Sequence, residues 1–436
     1  MLREKAADLA EERREEMVSD MMEMSLIPSV NPRMFGQGEF KRVQWIEKYL
    51  TRFGIPYITV DVPDSAVKEG VRRSLVVKLF PGKKDSAKGA DEKQGEKPDN
   101  QNDTLWIIAH VDTVNAGDRS AWRTDPFVPV REGDRIYGLG CEDNSQAVIC
   151  ALHTARIVRE LGLDQKARCS LGFIFASDEE TGSTYGLHAL AERGIFSPGD
   201  EAIVPDAGSP DGSFVEIAEK SQVWLKFTVE GRQAHASMPQ LGINAASVAA
   251  RLGAELEDTL RRTFDRRDSL FGPPCSTFEL TQKFENVESP NILPGKDQFV
   301  MDLRILPCYR VDQVMEQIRK IMNKYEASYP GAKITVQFLN RVDAPDATPK
   351  TADIVQCLKA ALEEDGVECR LGGIGGGTCA AILRERHIPA VVWSTLDDLA
   401  HQPNEYVNIN NLVRDTRVYL SAILKYCQIY KKEETE

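Results

Sequence analysis

Four short runs, LWIIAH, LGFIFAS, EAIVPD and AVVWST, are apolar almost from end to end, and segments with helical spacing lie around them. A strand that alternates apolar and polar residues has one wet face, whereas a strand this uniformly apolar must be covered on both. A mostly parallel sheet flanked by helices on both faces covers several such strands in succession. The segments SQAVICALHTARIVRELG, TYGLHALAERG, TADIVQCLKAALEEDG and NLVRDTRVYLSAILKYC read as the covering helices. The fold class expected for this part of the chain is therefore α/β.

The middle of the chain follows another rule. Val223, Leu225, Phe227 and Val229 alternate, and the next segment carries Val248, Leu252, Leu256 and Leu260 at fourfold spacing. Two strand-like runs follow, STFELTQKFEN and DQFVMDLRIL, then a helix with Val314, Ile318 and Met322, then AKITVQFL. That order, βαββαβ, is the split arrangement of a small ferredoxin-like α+β domain. We place it as an insertion at 219–340, between a first part of the larger domain at 1–218 and a second at 341–436. A chain of 436 residues is long for one hydrophobic core, so two domains agree with its length.

Charge and composition exclude several classes. The net charge of −13 and the lack of any long Lys/Arg run argue against nucleic acid as a partner. No stretch reaches the roughly 18 consecutive apolar residues that span a bilayer, so no membrane partner is expected. The opening MLREKAADLAEERREEM is charged and helical in pattern, unlike a signal peptide, which points to a cytoplasmic protein. Nine cysteines without a CxxC pair fit free thiols better than a disulfide framework or a cysteine metal site. The polar segment 83–103, KKDSAKGADEKQGEKPDNQND, reads as a solvated surface loop.

The chemistry lies where the apolar runs end. WIIAHVD delivers His110 and Asp112, which share a strand face if the extended backbone persists. A metal-bound imidazole hands its other N–H to a carboxylate in many sites, and Asp112 is placed for that. One HxD pair is weak evidence by itself, but other strand ends repeat the theme. FASDEETG delivers Asp178, Glu179 and Glu180, VPDAG delivers Asp206, WSTLDDLAHQP delivers His401, and GLGCED sets Asp143 just before a helix. Ligands of open α/β sheets bind outside the carboxyl ends of the strands. Imidazole and oxygen ligands without thiolate suit zinc, or cobalt and manganese in its place, and two ions can share a bridging carboxylate. Such paired ions lower the pKa of bound water toward about 7. Glu179 and Glu180 can then divide the labour, one toward the water and one toward a metal. The remaining histidines, His153, His188 and His387, sit in or near helical patterns and read as structural.

The motifs HVDTV, GLGCED, SDEETGS, VPDAG, RQAHASMP, NILPG with DLR, GGIGGGT and AHQPNEYV, in this order, resemble those of the M20 metallopeptidases and deacylases, from about residue 20 to the C-terminus. That family includes acetylornithine deacetylase, succinyl-diaminopimelate desuccinylase, glutamate carboxypeptidase and aminoacylase. The resemblance implies a zinc-exopeptidase-like catalytic domain with an inserted ferredoxin-like lid. It makes Asp143 the ligand that bridges two divalent ions, with His110 and Asp206 on one and Glu180 and His401 on the other. Asp112 would orient His110, and Glu179 would be the general base and acid. His235 matches a lid histidine that, in dimeric members, reaches the partner's site and stabilises the oxyanion, which implies a homodimer formed through the lid. Asn291 and Arg304 match lid residues that bind the substrate carboxylate, and Gly375, Gly376, Gly377 and Thr378 match a loop whose backbone approaches the substrate. The implied enzyme is a metal-dependent hydrolase of C–N bonds: a deacylase of N-acyl amino acids with a free carboxylate, a dipeptidase or carboxypeptidase on short peptides being the nearest alternative. A catalytically idle metal-binding scaffold is the alternative of another class, and the complete ligand set argues against it. Two stretches depart from the family pattern. Asn144, Ser145 and Gln146 stand where Met-Lys-Gly is usual, and Cys379, Ala380, Ala381 and Ile382 replace the Ser-Asp-Gly-Arg of the desuccinylases, which counts against succinyl-diaminopimelate as substrate.

Overall fold

The computed structural model describes residues 2–80 and 103–428, so the segment read as a surface loop lies, apart from its last residue, outside the described residues. The chain forms two compact units: the larger holds residues up to Ile217, Thr348–Leu371 and those from Thr378 onward, and the smaller holds Ala218–Ala347 together with Gly372–Gly377. Residues 341–347 and the glycine loop thus group with the smaller unit, although the sequence reading assigned them to the larger domain.

An eight-stranded sheet has the strand order Ile58–Pro63, Val71–Leu79, Ser170–Ala176, Thr104–His110, Glu201–Ser209, Ala390–Thr395, Phe214–Glu219, Arg370–Ile374, the first six strands lying wholly in the larger unit. Its four central strands are mutually parallel. Val71–Leu79 and Phe214–Glu219 run antiparallel to their central neighbours. Every residue of Thr104–His110 and Ser170–Ala176 is buried, which is the two-sided cover that their uniform apolarity requires. Helix Ala147–Glu160, buried along most of its length, packs on both strands, and Trp106, Ile108 and Ile174 pack in one core with Leu187, Leu190 and Leu383. Trp106 fits because its strand neighbour is Gly172: a Cβ there would lie 2.0 Å from the indole ring. The indole N–H donates to Asp200 at 2.7 Å, so the one polar atom of this buried side chain is satisfied.

The smaller unit carries an antiparallel four-stranded sheet in the order Thr277–Lys283, Lys296–Ile305, Ser221–Glu230, Lys333–Val342. Helices Ala245–Thr263 and Val311–Ser328 intervene, giving βαββαβ along the chain. Val223, Leu225, Phe227 and Val229 are all buried in one core with Leu252, Leu256 and Ile318. The cross-strand partners Phe227 and Phe299 stack with ring centroids 4.8 Å apart. Alternation therefore marks a sheet with one covered face, as it should.

Candidate metal centre

Each ligand candidate of the larger unit is presented by an identifiable local device. His110 is the last residue of its strand. Glu179 and Glu180 open the single turn Glu179–Thr181, entered through Asp178 in the left-handed region at φ 65°. Asp206 sits in an irregularity: pairing of Ala390–Thr395 with Glu201–Ser209 shifts between Val392, opposite Val204, and Ser394, opposite Gly208. Pro205, Asp206 and Ala207 therefore oppose Trp393 alone, and such a bulge re-aims a side chain. Asp143 lies in the turn Cys141–Gln146 with non-helical angles ahead of helix Ala147–Glu160. His401 adopts φ 63° in the loop after Ala390–Thr395.

These devices bring five side chains together. The two carboxylate oxygens of Asp143 face different histidines, Oδ1 at 3.0 Å from His110 Nε2 and Oδ2 at 3.2 Å from His401 Nε2. Asp206 Oδ1 lies 3.3 Å from His110 Nε2, and Glu180 Oε2 lies 3.1 Å from His401 Nε2. Two triads result, His110, Asp143 and Asp206, and Asp143, Glu180 and His401, each with ligand atoms within 4.8 Å of one another. Two imidazoles and three carboxylates converging on a shared aspartate have the donor chemistry of a divalent-metal site.

The electrostatics describe a cluster that holds protons where cations would sit. Burial opposes a charge on His110, but hydrogen bonds to Asp112, Asp143 and Asp206 outweigh it and raise its pKa well above the ordinary value. Hydrogen bonds to Asp143 and Glu180 push His401 up to about 10. Burial works to raise Asp143 as well, yet the hydrogen bonds from both histidines hold it far below the usual carboxylate range. Burial, with the charge of Asp143, pushes Glu180 up to about 7. Glu179 is raised well above its ordinary value by burial and then by Asp206, with His110 opposing. Strongly perturbed groups of this kind concentrate where chemistry is done.

Asp112 faces His110 with both its backbone carbonyl and its carboxylate, and the carboxylate has a second task. His110 Nδ1 lies 3.0 Å from the Asp112 backbone carbonyl and 3.6 Å from its carboxylate. The carboxylate also accepts from the backbone N–H of Glu179 at 2.9 Å, that of Glu180 at 3.3 Å and Asn31 Nδ2 at 2.8 Å. The carbonyl is the nearer partner of the ring, and the carboxylate, besides facing the ring, pins the turn that carries the two glutamates. Asn31 also donates to Asp178 at 3.1 Å, and Arg72 reaches Asp178 at 3.3 Å and Glu39 at 2.6 Å.

Two residues that the sequence marks only as departures from the family pattern prove to support the site. Asn144 accepts from the His110 N–H at 3.2 Å and donates to Pro205 O at 2.7 Å and Asp206 Oδ1 at 3.2 Å, tying three ligand-bearing segments. Gln146 Nε2 donates to Ser394 Oγ, Thr395 O and Asp415. Their positions were visible as departures after Asp143, but their partners are remote in the chain. His153, read as structural, is buried against Asp20 at 2.8 Å. A cleft of about 460 Å³ opens beside His401, walled by Met34, Val114, Ala116, Trp122 and Leu139.

The other site candidates belong to the smaller unit. His235 and Asn291 are neighbours there, since His235 pairs with Ile292 and the Ala236 N–H donates to Asn291 O at 2.8 Å. His235 Nδ1 is 2.8 Å from Ser237 Oγ, and the residue is exposed. Arg304 grips Asp302 through Nε at 2.7 Å and a terminal nitrogen at 3.0 Å, and its other terminal nitrogen donates to Gly375 O at 2.8 Å. A Cβ at Gly375 would meet nothing within 4 Å, so packing does not demand glycine there, and at Gly376 it would touch only Ile374 at 3.8 Å.

Residues 106–425 match the family model described as Peptidase family M20/M25/M40. An uncharacterized metallohydrolase of Methanocaldococcus jannaschii is 37% identical over 426 residues, covering 94% of this chain and 99% of that protein. The succinyl-diaminopimelate desuccinylase of a Sulfurovum species is 24% identical, covering 94% and 99%. Among solved structures, human carnosine dipeptidase 1 shares the fold with a TM-score of 0.70 at 18% identity, covering 98% of this chain and 99% of that one. A family match across most of the chain, on a fold that gathers the two triads at its strand ends, leaves one assignment: the chain belongs to peptidase family M20 and is a metal-dependent hydrolase of amide or peptide bonds.

Proposed function

We propose that the chain is a two-metal amidohydrolase that cleaves the amide bond of an N-acyl amino acid bearing a free carboxylate. The observation that carries this reading is the division of the Asp143 carboxylate between two histidines, each completing a separate triad. His110, Asp143 and Asp206 would hold one ion and Asp143, Glu180 and His401 the other, zinc being the expected metal with cobalt or manganese able to replace it. When bound, the ions polarise the scissile carbonyl and supply a water nucleophile at neutral pH.

The protein's own groups do the rest. Glu179, raised by burial and held in place through its backbone by Asp112, accepts the proton of the attacking water and returns it to the departing amine. His235, exposed in the smaller unit, stabilises the oxyanion in a partner subunit of a homodimer. Arg304, fixed by Asp302 and Gly375, with Asn291 binds the substrate carboxylate. The apolar walls beside His401 suit an aliphatic or aromatic group on the substrate.

Amine release should be measured across N-acetyl, N-succinyl and N-formyl amino acids and dipeptides, with zinc-loaded and metal-stripped protein. Metal-dependent cleavage confined to acyl amino acids is the expected result, preference for dipeptides reassigns the enzyme within the family, and silence with metal bound refutes the deacylase reading. Sedimentation showing an active monomer would remove the role given to His235.

A further inference from the structure

The loop that carries His401 is backbone under strain. Asp398, His401 and Asn404 all adopt left-handed angles, φ 62°, 63° and 65°, and none is glycine. Side chains held in this region persist only where their surroundings enforce them. The enforcement here comes from Glu142, the residue before the shared ligand Asp143. Its carboxylate is buried and accepts two backbone N–H bonds from the strained loop, Asp397 to Oε1 and Leu399 to Oε2, both at 2.6 Å. The favour is returned by Glu405, just beyond the same loop, whose carboxylate accepts the N–H groups of Gly140 at 2.7 Å, Glu142 at 2.8 Å and Asp143 at 3.0 Å. Each of two ligand-bearing segments is thus moulded onto a carboxylate supplied by the other.

The two halves of this clasp are not equivalent. Glu405 fixes the backbone of Asp143, which belongs to both triads. Glu142 fixes the approach to His401, which belongs to one. We infer that Glu142 is a positioning residue for one metal position only: it sets the affinity of the Asp143, Glu180 and His401 position and leaves that of the His110, Asp143 and Asp206 position unchanged. Glu405 sets both. Groups that orient ligands without touching the metal change affinity by about 10- to 100-fold when removed. A Gln at 142 keeps one acceptor and turns the other toward a backbone donor, so the loop loses one anchor and gains a donor-donor contact.

This inference rests on the two-metal reading, and the experiment separates the two. Metal-stripped wild type and Glu142→Gln are titrated with zinc by calorimetry, a readout independent of activity. Wild type taking up fewer than two ions refutes the two-metal reading and the inference with it. With two ions in wild type, Glu142→Gln should bind the first as before and the second about 10- to 100-fold more weakly, while Glu405→Gln weakens both. Equal weakening of both ions by Glu142→Gln, as general loosening of the fold would give, overturns the inference, and so does an unchanged second affinity. If Glu142→Gln does not fold, Tyr406→Phe carries the test, because the Tyr406 hydroxyl holds the same loop through Asp397 at 2.7 Å. A selective, several-fold loss at the second position supports the role of the tether, and no loss contradicts it.

Discussion

Asp112→Asn separates two roles that one side chain could play. If the carboxylate orients His110, the substitution should loosen the ion on that side. If it pins the Glu179–Thr181 turn, the damage should appear in stability and turnover. The geometry favours the turn: His110 Nδ1 is closer to the residue 112 carbonyl, which the substitution leaves alone, than to the carboxylate. An amide nitrogen in place of Oδ2 would face two donors, Asn31 and Glu180, and in place of Oδ1 mainly one, Glu179. The cheaper pose loses one charge-assisted hydrogen bond, about 1.5–3 kcal/mol, and leaves a buried N–H facing another, about 1–3 kcal/mol more. The metal-free variant should therefore be destabilised by about 2.5–6 kcal/mol in urea unfolding. A displacement of the turn by about 1 Å is enough to lower kcat about 100-fold. Zinc affinity on the His110 side should stay within a few-fold of wild type. Stability unchanged to within about 1 kcal/mol, or selective loss of the His110-side ion, would show that the carboxylate serves the ring after all.

Other consequences can be checked separately. Glu179→Gln should abolish turnover while both ions remain bound, and undiminished activity in that variant would sink the proton-transfer role. In metal-free protein Glu39 and Glu142 are pushed by burial up to about 7 and Glu405 up to about 8, and hydrogen bonds push His401 up to about 10. Each binds its proton more tightly folded than unfolded, so their stabilisation is complete below their unfolded values and is lost as the pH climbs through the folded ones. Thermal unfolding of stripped protein should accordingly move to lower temperature between pH 6 and 9, and a midpoint rising across that window contradicts the assignment. Metal must displace protons from the same cluster, so zinc uptake should release protons and tighten with pH, which calorimetry in buffers of different ionisation enthalpy reads directly. Gly208→Ala would set a Cβ 1.8 Å from Ser394 O, beside the bulge that aims Asp206. It should destabilise the protein by several kcal/mol and weaken the His110-side ion, and wild-type metal binding there would show the bulge to be dispensable.

How far the sequence discloses this arrangement depends on where each residue finds its partners. The strands of His110, Glu180 and Asp206 are legible because burial on both faces forces an uninterrupted apolar run, and the change of residue type at its end is abrupt. The smaller unit is legible for the opposite reason, since one covered face leaves the alternation of Val223, Leu225, Phe227 and Val229. The antiparallel direction of Val71–Leu79 leaves no such mark, because an apolar strand reads alike either way. Glu142, Glu405 and Asn31 are likewise invisible, as they act on backbone N–H groups or carboxylates far away in the chain, and no spacing rule connects them. The Asp112 carboxylate stands two residues from His110, yet its hydrogen-bond partners lie at Asn31, Glu179 and Glu180. The loop Gly372–Gly377 joins the smaller unit through such contacts too, among them Gly375 O with Arg304.

Whether two ions share Asp143 is tested most directly by anomalous diffraction from crystals of the zinc-loaded protein. Two peaks separated by about 3.5–4 Å, one among His110, Asp143 and Asp206 and the other among Asp143, Glu180 and His401, are the predicted result. A single peak at full zinc occupancy, or peaks that do not share Asp143, would contradict it.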